Sequence, residues 1–509
     1  MAEMGSFMRL TEPPGCSENP RGLRIWGRRN RSLVVFGPPP GHASGALSLR
    51  RWLLLLAVLV ALSGCAVPQP TDPYAPVSGF NRSSSSGAYA RSGQRQAPAT
   101  LEGPATLERC IELALANNPE LAATGWDVSA AGNRLDQARA SRWPTVSAEA
   151  AYGRFLDPQR LIQARYNGEP GYFDRDIYRG DLVLKLPIFT GGRIVNEIAA
   201  AELLQKAEEN RLARTREELI FNVSSIFYSI LGQRKVIHSL EFSIEAMDQH
   251  LRQVSALLAA QKAAKVDLLR TEVRLADLRQ SLVKEQNGLA IQKRVLANLL
   301  GLDYDSERFA IEGKLTFEEQ HLDATALVAQ ALDRRSDYLA ARARLEAQAR
   351  RVDSARAGHL PTVSVLGSYG LRADSLGDED DTGSVGLGVT VPLLEGGRVT
   401  AKVNEERSAL GAAQERLRKL ELQISQEVET AVLDVRSSSE RVRALDKAIE
   451  QAQESLRIER QKYDLGMGSM TDVLDAQTAL LQSETSTYRA LADFRTALAR
   501  LDLATGGER

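Results

Sequence analysis

The sequence predicts a mainly helical chain made of two tandem repeats, each joining two β-strands to a long antiparallel coiled-coil hairpin. Three observations carry this. Leu186-Pro187-Ile188-Phe189-Thr190-Gly191-Gly192-Arg193 returns, shifted by 205, as Val391-Pro392-Leu393-Leu394-Glu395-Gly396-Gly397-Arg398. Proline is absent from 188–360 and from 393–509, and each interior proline costs a helix about 3 kcal/mol. Apolar residues then recur every seven positions over five or six heptads, which argues for coiled-coil packing rather than a short amphipathic helix.

Composition agrees. With 64 basic and 65 acidic residues the net charge is −1, which removes the electrostatic argument for a nucleic-acid partner. Aromatics are only 6% of the chain, as suits long helices better than thick mixed cores. Cys16, Cys65 and Cys110 are too scattered for a disulfide framework or a zinc ribbon.

The first segment, 1–64, reads as an upstream extension followed by a signal peptide. Arg50-Arg51-Trp52 leads into an apolar run from Leu53 to Leu62, then Ser63-Gly64-Cys65. That order is an export signal, about half as long as a bilayer-spanning helix needs. Its ending resembles a bacterial lipobox, which implies cleavage before Cys65 and acylation of its thiol. Ala66 rather than Asp follows, which by the enterobacterial sorting rule implies the outer membrane. The stretch before it, 1–49, is too long for a normal n-region, and a start assigned too far upstream is the simplest explanation. Residues 65–105 read as the lipidated N-terminus and a tether, with Pro68, Pro70, Pro73, Pro76 and Ser83–Ser86 unable to bury enough apolar surface to fold.

The repeats are assigned to 106–303 and 322–509, with 304–321 as a linker. Val266-Asp267-Leu268-Leu269 maps onto Thr471-Asp472-Val473-Leu474, and Gly301 onto Gly506, with the same shift of 205. Upstream, Trp143-Pro144-Thr145-Val146 maps onto Leu360-Pro361-Thr362-Val363 with a shift of 217. The difference between the two shifts is expected as a longer loop in the first repeat.

Each repeat opens on period-two runs: Val146, Ala148, Ala150, Tyr152 and Leu182, Leu184, Leu186, then Val363, Val365, Gly367, Tyr369 and Val385, Leu387, Val389, Val391. Runs of about 8–11 residues suit transmembrane β-strands, and a half-buried soluble hairpin would look the same. The acidic run Asp378-Glu379-Asp380-Asp381 is assigned to a loop. Four strands cannot close a barrel and open edges are not tolerated in lipid, so a membrane reading requires several copies.

The heptads run Val223, Ile230, Ile237, Ile244, Leu251, Leu258, with Gln233 as a polar break, and return as Leu268, Leu275, Leu282, Leu289, Leu296. The second set is Val428, Val435, Val442, Ile449, Leu456, Tyr463, returning as Val473, Leu480, Thr487, Phe494, Leu501. The first long helix, about 195–262, would span roughly 100 Å at ~1.5 Å per residue.

Enzyme and cofactor motifs are missing. Gly191, Gly192, Gly396 and Gly397, with Pro187 and Pro392, fit strand-to-helix corners rather than phosphate loops, since neither turn matches G-x-G-x-x-G. The five histidines form no H-E-x-x-H and no ligand cluster with cysteine, so no metal site is assigned.

The segment Tyr463-Asp464-Leu465-Gly466-Met467-Gly468-Ser469-Met470-Thr471-Asp472-Val473-Leu474-Asp475-Ala476-Gln477, with the paired Pro…Gly-Gly-Arg turns, resembles the TolC-like outer-membrane factors, the outer membrane efflux protein family. More narrowly, it is similar to their lipidated branch serving drug and metal efflux pumps. The resemblance covers about 106–506. It implies a homotrimer with a 12-stranded membrane β-barrel over an α-helical tunnel. It also implies a periplasmic adaptor (membrane fusion) protein and an inner-membrane pump as partners, and carboxylates matching Asp472 and Asp475 around the periplasmic aperture. Asp267 holds the same position in the first repeat. From the residues alone, Ser469-x-x-Asp472 is equally a helix cap. The basic residue that latches this region in some members falls at Gly468 here. Gln261 replaces the turn glycine of the first tip and Ala264 replaces its capping serine.

The function expected is a passive exit duct for small molecules. A type I protein-secretion conduit and a non-channel periplasmic lipoprotein are the alternatives.

Overall fold

The computed structural model describes residues 105–162, 172–302, 311–374 and 379–507. Cys65, the segment read as a signal peptide and all of the expected tether but Ala105 lie outside them; Ala105 is buried and bridges Ile311. The chain runs α1 (Leu107–Asn117), α2 (Pro119–Ala140), β1 (Thr145–Ile162), β2 (Tyr172–Phe189), α3 (Arg193–Ala259) and α4 (Lys265–Leu299). The second half repeats this as α5 (Ala324–Arg334), α6 (Ser336–Arg356), β3 (Thr362–Ala373), β4 (Glu379–Thr390), α7 (Arg398–Asp464) and α8 (Met470–Thr505). The mainly helical fold with two strand hairpins is as expected.

α3 and α7 are each 67 residues, about 100 Å at ~1.5 Å per residue. Every heptad residue named above is buried or half-buried, with Val223, Ile230, Val428, Leu296 and Phe494 among those fully so. Gln233 is accommodated because its amide donates to the Glu285 carbonyl at 2.9 Å. α4 packs against the tip-side half of α3, and α8 packs between α3 and α7. Gly232 marks the tightest point of α3 against α8. A Cβ there would lie 2.9 Å from the Ala492 Cβ and 3.3 Å from the Tyr488 carbonyl oxygen.

Two short helices precede each strand pair, a feature the heptads do not announce. In the first repeat the break between them is held by Asn118, whose Oδ1 caps α2 at Glu120 and Leu121 and whose Nδ2 donates to the Leu299 carbonyl at 2.9 Å. Its counterpart in the second repeat is Arg335, 1% exposed. Arg335 Nη1 donates to the Ala504 carbonyl at 3.2 Å, and its guanidinium pairs with Asp337 and Glu427 at 2.7 Å each. Both junctions thus reach the last turn of a return helix, by an amide in one repeat and a paired cation in the other. The described part of the linker packs rather than floats: Ile311 is buried beside α3, and Phe317 lies 4.9 Å from Phe494, ring to ring.

The four strands form one antiparallel sheet in the order β1-β2-β3-β4. β1 and β2 are 18 residues each, against 12 for β3 and β4. Most of the extra length of the first repeat is therefore strand, not the longer loop the spacing suggested. The alternation Val146, Ala148, Ala150, Tyr152 breaks at Arg154-Phe155-Leu156, yet β1 continues past it, with a register slip between Arg154 and Gln159 around Pro158. Glu379, Asp380 and Asp381 also belong to β4 rather than a loop, paired with Ala373, Arg372 and Leu371, while Asp378 lies outside the described residues. Cross-strand partners, not local acidity, decide that.

Candidate functional site

Two regions can do chemistry or transport: the sheet, and the tips where the helical hairpins turn.

Pairing partners share a face of a sheet. Val146, Ala148, Ala150 and Tyr152 therefore lie on the same face as Leu184, Leu182, Gly180 and Tyr178. Gly367, Tyr369, Leu371 and Ala373 continue it, then Val385, Leu387 and Val389. Nearly all of it is apolar. Val385, Leu387 and Val146 are 85%, 73% and 67% exposed, so no described part of the chain covers it. The band ends at stacked Tyr152 and Tyr178, with centroids 4.7 Å apart, followed by the Arg154–Asp176 pair. The opposite face carries Ser147, Glu149, Arg179, Asp181, Lys185, Ser368, Arg372 and Ser384. There Asp181 is held by Arg372 at 2.7 Å and Arg179 at 3.2 Å. Gly370 is small because a Cβ would strike the Asp181 carboxylate and the Gly180 carbonyl at 2.2 Å. One apolar face closed by tyrosines and charges, backed by a polar face, is the pattern of a strand between lipid and a wet lumen. The outer strands β1 and β4 each leave one edge unpaired among the described residues. Among those residues no helix is long and apolar enough to cross a membrane.

At the base of the sheet the chain turns into the long helices. Gly191 and Gly192 have φ of 62° and 87°, and Gly396 and Gly397 have 58° and 83°. These left-handed angles favour glycine. The second glycine of each pair is the N-cap of its helix and offers no side-chain cap. Pro187 lies near the end of β2, and Pro392 just beyond β4.

At the far ends both hairpins turn alike. Lys262 N donates to the Leu257 carbonyl and Gln261 N to that of Leu258; Met467 and Gly466 repeat this with Lys462 and Tyr463. This double closure needs a left-handed residue. Gly466 supplies it at φ 72°, and Gln261 is forced into it at φ 56°. Ser469 and Asp472 form a reciprocal capping box on α8, whereas Ala264 leaves α4 without a side-chain cap.

Asp472 and Asp475 are exposed in the first two turns of α8, and Asp267 is half-buried in the first turn of α4. Asp267 comes close enough to act on Tyr463. Burial, then the Asp267 and Asp464 carboxylates, push that phenol above its ordinary range. The two tips are tied by pairs the heptads could not reveal, because they sit beside the apolar seam. Arg270 donates to Thr471 Oγ1 at 2.8 Å, Arg274 to Thr478 Oγ1 at 2.8 Å, and Gln253 to Asp464 at 3.0 Å. His250 Nε2 lies 3.0 Å from the Met470 sulfur and edge-on to Tyr463. Burial, then Arg460, holds the imidazole pKa below its ordinary value, against the opposing pull of Asp464 and Gln253. No group of three or more His, Cys, Asp or Glu side chains among the described residues could hold a metal ion.

Comparison with known proteins settles the class. Residues 110–302 and 327–507 match the family described as outer membrane efflux protein. The outer membrane protein TolC of Vibrio cholerae is 21% identical over 403 residues, covering 77% of this chain and 88% of TolC. The pyoverdine export outer membrane protein OpmQ of Pseudomonas putida is 25% identical over 478 residues, covering 91% and 98%. The solved structure of the outer-membrane channel OprN superposes with a TM-score of 0.68 at 23% identity, over 79% of this chain and 90% of that one. The fold and the matches thus define a non-enzymatic outer-membrane channel protein. The chain belongs to the outer membrane efflux protein family.

Proposed function

We propose that the chain is the exit duct of a tripartite efflux system. In this reading three copies close a 12-stranded barrel in the outer membrane and extend an α-helical tunnel into the periplasm. The tips meet a periplasmic adaptor and an inner-membrane pump, and small molecules pass through without chemistry. The observation that carries it is the sheet: apolar on one face, polar and charged on the other, and unpaired at both edges among the described residues. Such a sheet is stable in lipid only as part of a closed barrel. Four strands are too few, eight only fill a barrel, and twelve leave a bore. OpmQ is named for pyoverdine export and another relative for protease secretion, so the preference for small cargo rests on the lipobox-like ending at Cys65, which protein-secretion conduits usually lack. Mass determination in detergent and conductance in planar bilayers test this. A stable monomer, or a protein that inserts without conducting, would sink it.

Cys65 is proposed as the lipid anchor. Cys65→Ser should abolish palmitate labelling, and labelling that persists unchanged removes the assignment.

Asp472, Asp475 and Asp267 are proposed to ring the periplasmic aperture. In a trimer Asp472 and Asp475 would form rings of three, six carboxylates in all, which repel one another and select cations. Since Asp472 also caps α8, asparagine is the informative substitute: it keeps the cap and removes the charge. Asp472→Asn with Asp475→Asn should raise resting conductance modestly and weaken cation preference. If both stay at the parent's values, these residues are caps and the aperture lies elsewhere.

A further inference from the structure

We propose that His250 and Met470 form a binding site for a soft monovalent cation, Cu(I) or Ag(I), between α3 and α8 near the tips. The site lies within one chain, so it stands whether or not copies assemble into a duct.

Beyond Cys65 the methionines of the chain are Met247, Met467 and Met470. All of them lie within about three helical turns of the tips. Met247 and Met470 are 1% and 2% exposed, whereas Met467 is 73% exposed in the turn. Met247 and His250 are one turn apart on α3 and so share a face. Met247 packs there with Leu251 of α3 and Leu474 of α8, which makes the surroundings apolar. His250 Nε2 lies 3.0 Å from the Met470 sulfur. Packing alone asks no more of a buried methionine position than leucine gives. A thioether adds a soft lone pair, and His250 turns a ring nitrogen toward it.

The ring is prepared as a ligand. Gln253 is hydrogen-bonded to the imidazole, and its amide nitrogen is already spent on Asp464 at 3.0 Å, so its carbonyl oxygen accepts from the ring. With Nε2 against the sulfur, the proton that Gln253 accepts is on Nδ1. Metal-ligating histidines are commonly fixed this way, the other ring nitrogen donating to a carbonyl. Nε2 then points a lone pair at a sulfur lone pair, a contact that a cation between them would relieve. Burial and the facing Arg460 keep the ring uncharged at pH 7, as a ligand must be. The donor set decides the ion. An imidazole with a thioether suits a soft ion of low coordination number, whereas divalent ions of the hard or borderline kind ask for carboxylates or more nitrogen ligands. The charges that face the ring, Arg460 and Asp464, oppose each other and build no anionic cage. Arg460 itself donates to Gln477 at 2.8 Å. Loading requires the sulfur to withdraw from its present 3.0 Å, which the three rotatable bonds of methionine allow. A bound ion would then join α3 to α8.

Silver ion titrated into the full chain in detergent, in chloride-free buffer at pH 7.5, tests the site. Calorimetry of the parent should show a single tight binding event per chain. Hydrogen-exchange protection should rise with it in the last four turns of α3 and the first turns of α8. Met470→Leu conserves volume and should remove both responses, as should His250→Phe. Met467→Leu, in the exposed turn, should remove neither. Cys110 is common to all the variants, buried and with its thiol pushed up to about 12, so differences between them do not come from it. Silver binding and added protection that are the same in Met470→Leu as in the parent overturn the site. Loss of both responses in Met467→Leu but not in Met470→Leu overturns it too. Neither readout involves conductance or copy number, so failure here leaves the duct reading untouched.

Discussion

Gln261 is the one non-glycine residue with a positive φ among the described residues, at 56°. An L side chain held there costs about 1 kcal/mol or more. The second tip avoids this with Gly466 and adds the Ser469–Asp472 capping box. The first tip is therefore the weaker of the two. Gln261→Gly should raise hydrogen-exchange protection in the last turn of α3 and the first of α4 by about 1 kcal/mol, less a few tenths for the freer unfolded chain. Gly466→Gln should lower protection at the second tip by a similar amount. Equal protection before and after both changes would mean that neighbouring contacts, not the backbone, hold these turns. The substitution was visible in the repeat alignment, because Gln261 falls where Gly466 stands. Its strain was not, since that depends on both hairpins closing the same hydrogen-bonded turn.

Between elements, the α3–α8 contact near the tips carries a titratable group. His250 of α3 faces Met470 of α8, Tyr463, Arg460 and Asp464 of α7, and Gln253 of its own helix. A pKa held below the ordinary value means that the packed tip binds fewer protons than the unpacked one. The contribution of His250 is then complete above about pH 6.5, the free imidazole value, and is lost as pH falls below it. Hydrogen-exchange protection in the last four turns of α3, taken relative to the intrinsic rate at each pH, should fall between pH 7.5 and 5.5. His250→Phe should flatten that change while leaving the pH 7.5 rate close to the parent's. An unchanged acid step in the variant would assign it to another group. Heptad reading found the apolar seam of these helices and missed His250, Gln253, Arg270 and Arg274, because a seven-residue period selects apolar positions and is blind to the polar residues flanking them.

For the whole molecule, the proposed trimer would hold seams within chains and between them, and the two are unequal at the tips. Inside the chain Gln253–Asp464, Arg270–Thr471 and Arg274–Thr478 tie the hairpins together. In the proposed trimer their repeat equivalents between copies would be Ile458 with Ala259, Asp475 with Val266, and Ala479 with Val273, none of which can form a side-chain hydrogen bond. If copies assemble into the proposed trimer, its tunnel mouth should therefore part between copies, with the two hairpins of one chain moving together. Bridging Gln253→Cys to Asp464→Cys with a short bis-maleimide should leave conductance in the open state as in the parent. Bridging Ile458→Cys to Ala259→Cys of the next copy should suppress opening. Suppression by the first bridge and not the second would show that the hairpins of one chain slide past each other instead.

Duplication, helix length and the coiled-coil seam were determined by the sequence alone, because proline exclusion and heptad spacing are local and survive without knowledge of neighbours. So were the corner glycines as candidates, since few positions tolerate Gly-Gly between a strand and a helix. Only the tertiary structure decided that most of the extra length of the first repeat extends β1 and β2. It alone decided that the acidic run joins β4, that Asn118 and Arg335 do the same work by different chemistry, and that Asp267 reaches Tyr463. Most of these depend on a partner in a distant segment of the chain, as Asn118 does on Leu299 and Arg335 on Ala504. A hydrogen bond or a charge acts through distance in space, and no periodicity in one segment encodes which distant segment the fold will bring beside it.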